Sequence, residues 1–324
     1  METHNVIKEL EFKDSVDFYE FLMYDKIFNR DYIFRGECSD SFKLLPCALR
    51  SENTNFIHYA AKNGELNHDT EQNQVECEYI LLQDFLRHCD LSGLTIPHVE
   101  RLKNAGVFFR DYSFLHELKR WIFEDLHECA GLAQHYGVPT RLLDWTLDAY
   151  VALYFATTGV LENEYNKDFR SEYFVLWALN IFELGEPYKQ QYLRFIKPSY
   201  AGNPNLCAQQ GLFTLIEIDN PYQTNLPTLD KPFLSAPERQ TLDEYLIKDN
   251  KDYKGESPLL YCIKVHKDLA RNVLGHLVNK RYDASRLFPG YGGAAQSVRE
   301  KLLLDEKTNI FGKHTFAKSC IPEN

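Results

Sequence analysis

The sequence lacks the features that mark several large classes of protein. Its 324 residues contain no Cys-x-x-Cys pair, no apolar run approaching eighteen residues and no stretch of five or six basic residues. A membrane-spanning helix needs about twenty apolar residues, and a secretory signal needs a shorter apolar run behind a basic patch. We therefore predict a cytoplasmic protein that does not enter a membrane.

The cysteines also lack the spacing of a metal site. All eight are scattered at irregular intervals, whereas a tetrahedral zinc site uses two closely spaced pairs of Cys or His ligands. In a chain of this length such cysteines are typical of reduced, mostly buried thiols. We predict that the protein binds no metal and forms no disulfide framework.

The charge balance is acidic, with 47 Asp and Glu against 36 Lys and Arg and a net charge of −11. A broad grip on nucleic-acid phosphates needs a basic face, so this balance argues against that mode of binding. It does not restrict the charge of one local cleft. The hydrophobic fraction of 44%, with 14% aromatic residues, is ample for a sizeable core.

The periodicity of apolar residues predicts an α+β fold. Helical spacing occurs over 12–28, 75–86 and 114–133, and AYVALYFATT is apolar on every side, which predicts a fully buried helix with Asp144 or Thr146 as N-cap. Strand character occurs in DYIFRGE, TRLLDWT, EYFVLWALN, GLFTLIEI and SPLLYCIKV. Helices and strands neither alternate strictly nor segregate, which favours a helix-rich domain around a mixed sheet. Residues 51–73 are polar and indicate a surface excursion.

The first unusual segment is Phe34-Arg35-Gly36, at the end of a predicted buried strand. A buried arginine must find an anion, because an unpaired buried charge costs several kcal/mol. Arg35 is therefore either a clamp for phosphate or pyrophosphate or one half of a structural salt bridge. Gly36 would let a ligand approach the backbone closely.

The second segment, AQHYGVPTRLLDWT, gathers polar and aromatic side chains around a helix end and the following strand. Arg141 and Asp144 could pair with each other and Trp145 could belong to the core, but a ligand site accounts for more of the set. His135 could titrate near neutral pH, although a histidine at a helix end is more often a cap or a core residue. The set comprises Gln134, His135, Tyr136, Arg141, Asp144, Trp145 and Thr146.

The third segment, NPNLCAQQGLFTLIE, places Gln209 and Gln210 immediately before a strand. Such amides can bind a ribose or a base edge, or they can satisfy the backbone of a turn.

These three segments together resemble the FRG domain family, whose name comes from the first tripeptide. The resemblance runs from about Tyr32 to Phe213, and Asn205 departs from it because the family usually has arginine at the third position of the NPN segment. It implies one FRG-type domain over 1–324, with a motif-bearing core at 30–218 that the C-terminal strand and helices at 258–305 complete.

The layout of the motifs also resembles the ADP-ribosyltransferase superfamily, which implies a split sheet and the use of NAD as substrate. By that resemblance Arg35 with Gly36 would take the phosphates, Tyr136 or Trp145 the nicotinamide ring and Thr146 the ribose region. His135 and Arg141 would complete the cofactor site. The catalytic polar group would be Gln209, Gln210 or Glu217, with Asp144 the main candidate if Glu217 points away.

The resemblance implies an enzyme that acts on a macromolecule, RNA or protein, as a toxin or an anti-phage defence effector, with an antitoxin protein as a further partner. The alternative is a non-catalytic module that senses a nucleotide or a peptide with the same cleft.

Overall fold

The computed structural model of the chain describes residues 6–50, 71–109, 119–164, 166, 169–185, 191–221 and 239–305. None of the helices within these residues has the length and apolarity needed to cross a membrane. The predicted surface excursion at 51–73 falls mostly outside the described residues.

Within the described residues, seven strands form one sheet in the spatial order β1-β9-β5-β2-β4-β7-β6, and two short strands form a separate pair, β3-β8. The nine strands are β1 (Ile7–Phe12), β2 (Tyr32–Glu37), β3 (Arg120–Trp121), β4 (Leu142–Thr146), β5 (Tyr173–Asn180), β6 (Leu193–Ile196), β7 (Gly211–Ile216), β8 (Ile218–Asp219) and β9 (Leu260–His266).

The large sheet is mixed and nearly divided in two. β1 runs parallel to β9 and every other pairing is antiparallel. β2 pairs with β5, and β4 with β7, along their whole lengths, whereas β2 and β4 share a single registered pair, Phe34 opposite Thr146. The predicted α+β class with a mixed sheet is confirmed, and the sheet opens between β2 and β4.

Eleven α-helices occur in the described part of the chain. They are α1 (Ser15–Tyr24), α2 (Glu71–Leu91), α3 (Val99–Asn104), α4 (His127–His135), α5 (Ala149–Glu162), α6 (Ile181–Leu184), α7 (Pro204–Ala208), α8 (Leu242–Asp249), α9 (Ala270–Asn279), α10 (Ala284–Leu287) and α11 (Tyr291–Leu304).

Three apolar clusters hold the helices against the sheet. The first joins α1, α5 and α9 to one face of β2, β5 and β9. The second joins α2 and α4 to β4 and β7, and the third joins α8 to the opposite face of the sheet. Alternate residues of one strand therefore serve different clusters, as the side-chain period of two in a strand requires: Leu142 belongs to the second cluster and Leu143 to the third.

Helix α5 lies unusually close to the sheet at Gly36. A Cβ atom on Gly36 would fall 1.8 Å from the backbone oxygen of Ala152 and 3.1 Å from the Cβ atom of Ala156. The sequence predicted that Gly36 lets a ligand come close to the backbone. The structure shows instead that glycine is required at this position because α5 packs against it.

Several predicted helices differ in detail. The helix predicted over 114–133 begins only at His127, because Arg120 and Trp121 form β3 instead, and 114–118 lie outside the described residues. The N-cap of α5 is Asp148, whose carboxylate accepts from the backbone N–H of Tyr150, so the prediction of Asp144 or Thr146 was wrong. Gly137, just beyond α4, takes φ 89° as predicted for a glycine ending a helix.

The C-terminal helices are fastened to α5 through a buried carboxyl group. The Tyr154 hydroxyl donates to Glu300, and the backbone N–H of Ala284 donates to the same carboxyl group at 3.1 Å. Burial raises the pKa of Glu300. This contact joins α11 to α5 and to the start of α10.

All seven cysteines in the described residues are free thiols, and four of them are buried. The burial of four of the seven agrees with the predicted mostly buried thiols.

We expect Gly36→Ala to destabilise the fold by about 1–3 kcal/mol or more, because the added methyl group would meet backbone that cannot move aside. Gly292→Ala is the matched control, since nothing lies within 4 Å of the added atom in α11, and alanine is favoured over glycine inside a helix. Urea unfolding monitored by circular dichroism measures both variants. Equal stabilities would contradict the close approach of α5 to β2.

Candidate functional site

The candidate site is a cleft of about 390 Å³ at the opening between β2 and β4. This volume is within the range of about 300–1,000 Å³ for pockets that bind small molecules. The cleft is lined by Phe34, Arg35, Gly36, Gln134, His135, Asp144, Trp145, Thr146, Val151, Ala152, Phe155, Leu206, Gln209, Gly211, Leu212, Phe213 and Phe288.

The three segments singled out in the sequence meet at this cleft because they lie on adjacent strands. Phe34 on β2 is opposite Thr146 on β4, and Thr146 is opposite Gly211 on β7. Helix α4 ends beside the cleft at His135, and α7 leads into β7 from Gln209. Residues that are more than 170 positions apart in the chain therefore face one cavity.

Arg35 is engaged by the protein itself. Its Nε and Nη2 atoms lie 2.8 Å and 2.6 Å from Oε1 of Glu37, on the same strand. Its Nη1 atom donates to the backbone oxygen of Asp144 at 2.9 Å and lies 3.6 Å from the Asp144 carboxylate. Of the two interpretations of Arg35, the structure therefore contains the salt bridge. The guanidinium also joins β2 to β4 where their backbones separate.

Hydrogen bonds of Thr146 and Gln209 connect the segments that line the cleft. The Thr146 hydroxyl donates to the backbone oxygen of Gln209 at 2.6 Å and accepts from the backbone N–H of Asp148 at 3.1 Å. The Gln209 amide donates to the backbone oxygen of Leu287 at 3.1 Å. Both residues line the cleft as predicted, and their polar groups also position α5 and the segment after α10.

His135 and Asp144 are the cleft's two groups of acid–base character. Burial lowers the pKa of His135, with the nearby Asp144 opposing that shift, so the imidazole is neutral at pH 7. The Asn205 side-chain nitrogen lies 3.4 Å from Nε2 of His135, where it can donate to the neutral ring. The Asp144 side chain is 61% exposed and is therefore accessible to a ligand.

Arg141 does not reach the cleft. It is buried beneath α2, where its guanidinium pairs with Glu71 and with Glu78, the latter at 2.7 Å. Trp121 donates to the same Glu78 carboxylate at 2.7 Å. The predicted cofactor contact of Arg141 is replaced by a structural ion-pair network, because α2 brings two carboxylates to the start of β4.

Glu217 is also elsewhere. Its carboxylate lies 3.0 Å from Nη1 of Arg120, 2.8 Å from Nη2 of Arg194 and 4.0 Å from Nε2 of His127, beyond the far end of β7. It is not among the residues that line the cleft, and its charge is matched by the two arginines. Among the sequence candidates for a catalytic carboxylate, Asp144 is the one in the cleft.

Three further candidates take structural positions. Tyr136 is 68% exposed, caps the end of α4 and does not line the cleft. Trp145 lines the cleft, but it is 3% exposed and its indole N–H donates to the Thr214 hydroxyl at 2.9 Å, so its ring belongs to the core. Gln210 turns the chain into β7 with φ 48° and does not line the cleft.

The structure adds aromatic walls that the sequence analysis missed. Phe155 and Phe288 are partly exposed at the cleft and meet edge to face at 6.0 Å. Phe213 also lines the cleft, but it is 2% exposed and, like Trp145, belongs to the core. Helix α5 was predicted to be fully buried, and this prediction was wrong because the Phe155 side chain is 38% exposed. The apolar periodicity could not separate a ring that faces a cleft from one that faces a core. Glu37, two residues after Arg35 in the same strand, was the available signal for the salt bridge.

No group of three His, Cys, Asp or Glu side chains able to hold a metal ion is found where the structure describes the chain.

Part of the chain that forms the cleft matches a known protein family. The model of the FRG domain matches residues 30–165, somewhat under half of the chain. This segment is similar to the FRG domain. It supplies the residues of β2, α4, β4 and α5 at the cleft, whereas Gln209, Phe213 and Phe288 follow it in the chain. No curated protein and no solved structure matches the chain.

We expect Arg35→Met to destabilise the protein by about 3–5 kcal/mol, because Glu37 would remain buried without its partner. The double variant Arg35→Met with Glu37→Gln should recover much of that loss. Arg101→Met is the control, since its pair with Asp125 is exposed and exposed pairs contribute little to stability. Free energies of unfolding from urea titrations of these variants and of Glu37→Gln alone complete the double-mutant cycle. An additive cycle would show that the two side chains do not interact.

The pKa of His135 predicts that stability falls with acidification. A histidine whose pKa is lower when folded than its ordinary 6.5 gives full stability above pH 6.5 and loses it as pH falls through the folded pKa. We expect His135→Gln to reduce the fall in unfolding free energy between pH 7 and pH 5. His88→Gln, on the exposed side of α2, is the control, and an unchanged pH dependence in His135→Gln would contradict the prediction.

Proposed function

We propose that this FRG-domain protein is an NAD-dependent ADP-ribosyltransferase that modifies a macromolecule. The observation that carries the proposal is the meeting of the three sequence segments at one cleft, on the adjacent strands β2, β4 and β7. Those segments are the ones whose order along the chain resembles the ADP-ribosyltransferase superfamily. An arrangement that served only the core would not leave Asp144 and His135 lining an accessible cavity.

The reaction would use Asp144 and His135 in different roles. Breaking the bond between ribose C1′ and nicotinamide nitrogen leaves the electron pair on nicotinamide and positive charge on the ribose. The Asp144 carboxylate would stabilise that charge. Neutral His135 would accept the proton as an acceptor hydroxyl attacks C1′, which is the task of a general base. Arg35 is a positioning residue here, since it holds Asp144 at 2.9 Å through the backbone oxygen.

The acceptor in this proposal is RNA or a protein, approached at the mouth of the cleft. The net charge of −11 disfavours an extended nucleic-acid interface, so recognition would be confined to a few residues around the modified group. We further propose that the protein works in the cytoplasm as a toxin or anti-phage defence effector, held in check by an antitoxin protein. These assignments rest on the family resemblance.

The test is to incubate the full chain with NAD labelled in the adenylate, together with total cell RNA or cell lysate, and to measure nicotinamide release and label transfer. We expect Asp144→Asn and His135→Gln each to reduce transfer by about a hundredfold or more, as is usual when a charge-stabilising or general-base group is removed. Asp268→Asn, an exposed carboxylate after β9, should leave transfer unchanged.

Arg35→Ala is a poor choice for this test, because loss of fold would mimic loss of activity. Both informative variants change groups whose removal leaves no buried charge unpaired. Absence of NAD turnover with every acceptor, combined with NAD-independent binding of a partner, would overturn the proposal in favour of a non-catalytic sensing module.

A further inference from the structure

The cleft is not electropositive, although an arginine lines it. Arg35 and Asp144 are the only fully charged side chains among the lining residues that the structure describes. Glu37 adds a second carboxylate from behind the guanidinium, at 2.6 Å. One guanidinium with two carboxylates leaves a net charge of −1 at the opening between β2 and β4.

The orientation of the guanidinium strengthens this conclusion. Two of its nitrogens face Glu37, and the third faces the backbone oxygen and the carboxylate of Asp144. Most of its N–H donors are therefore occupied, and a phosphate would have to displace a carboxylate to obtain the paired hydrogen bonds that arginine offers an anion. Asp144, by contrast, has an accessible carboxylate with acceptor capacity to spare.

The remaining walls suit a flat ring. Phe155 and Phe288, which are both partly exposed, contribute aromatic surface, and the face of an aromatic ring attracts cations. His135 adds no positive charge at neutral pH, because burial lowers its pKa. Gln134 and Gln209 supply polar groups that can orient a carboxamide or a similar substituent.

We propose that the cleft selects a flat aromatic cation and rejects phosphate, with the Asp144 carboxylate as the group that makes the distinction. In the transferase scheme, and resting on that proposed function, the cation is the pyridinium ring of oxidised NAD. The phosphates of NAD would then lie outside the lined cleft. Loss of the ring's charge when the glycosidic bond breaks would weaken its hold on Asp144 and favour release of neutral nicotinamide.

The experiment compares four small probes on the full chain by calorimetry and ligand-observed NMR. N-methylnicotinamide carries the cationic ring, nicotinamide is its neutral counterpart, and ADP-ribose and inorganic pyrophosphate represent the anionic part. We expect N-methylnicotinamide to bind about tenfold more tightly than nicotinamide, the effect of one partly screened charge interaction. The two anions should bind more weakly than N-methylnicotinamide. Oxidised NAD should bind more tightly than NADH for the same reason.

The variant Asp144→Asn should abolish the preference for N-methylnicotinamide while leaving nicotinamide affinity unchanged. Asp268→Asn should keep the preference, and thermal melts establish that both variants are folded. Tighter binding of ADP-ribose or pyrophosphate than of N-methylnicotinamide, or a preference that survives Asp144→Asn, would overturn the proposal.

The outcome separates this inference from the proposed activity. Cation-selective binding without any NAD turnover would support the ring site and refute the transferase. NAD turnover without cation selectivity would support the transferase and refute the ring site.

Discussion

The bridge from Arg35 to Glu37 and Asp144 is the interaction on which the rest of the site depends. β2 and β4 share only the registered pair of Phe34 and Thr146, so backbone pairing connects the two halves of the sheet at only one point. The guanidinium adds a second link by donating to the backbone oxygen of Asp144. The opening that results is wide enough for a cleft, yet its edges are fixed relative to each other.

Helix α5 approaches the sheet closely beside this opening. The helix follows β4 directly, with Asp148 as its N-cap, and it crosses β2 where Gly36 offers no side chain. Thr146 ties the end of β4 both to Asp148 and to Gln209. The short segment from Thr146 to Asp148 therefore positions the end of β4, the start of α5 and the turn from α7 to β7. This segment lies inside residues 30–165, and the match to the FRG domain accordingly contains many residues of the site.

The local sequence pattern was sufficient to predict the strands and several helix ends. It was insufficient to predict which side chains form ion pairs with each other. TRLLDWT and DYIFRGE could be predicted as strands because β-branched and aromatic runs bounded by turn residues express a local preference. Arg141 shows the limit, because its carboxylates on α2 lie more than sixty residues earlier and only the folded chain brings them together. Glu217 shows the same limit with Arg120. Arg35 and Asp144 were singled out by residue type, but their mutual contact depends on the pairing of β2 with β4.

Phe288 and the strands beside β2 and β4 show that the recognisable segment and the folding unit are different lengths of chain. β5 and β7, the partners of β2 and β4 along their whole lengths, both follow residue 165 in the chain. Phe288 comes later still, between α10 and α11. Residues 30–165 transplanted alone into another protein would bring Arg35, His135 and Asp144 without the neighbouring strands that fix their spacing. Their chemistry belongs to the longer chain, and autonomy of the FRG segment should not be assumed when homologous regions are exchanged between proteins.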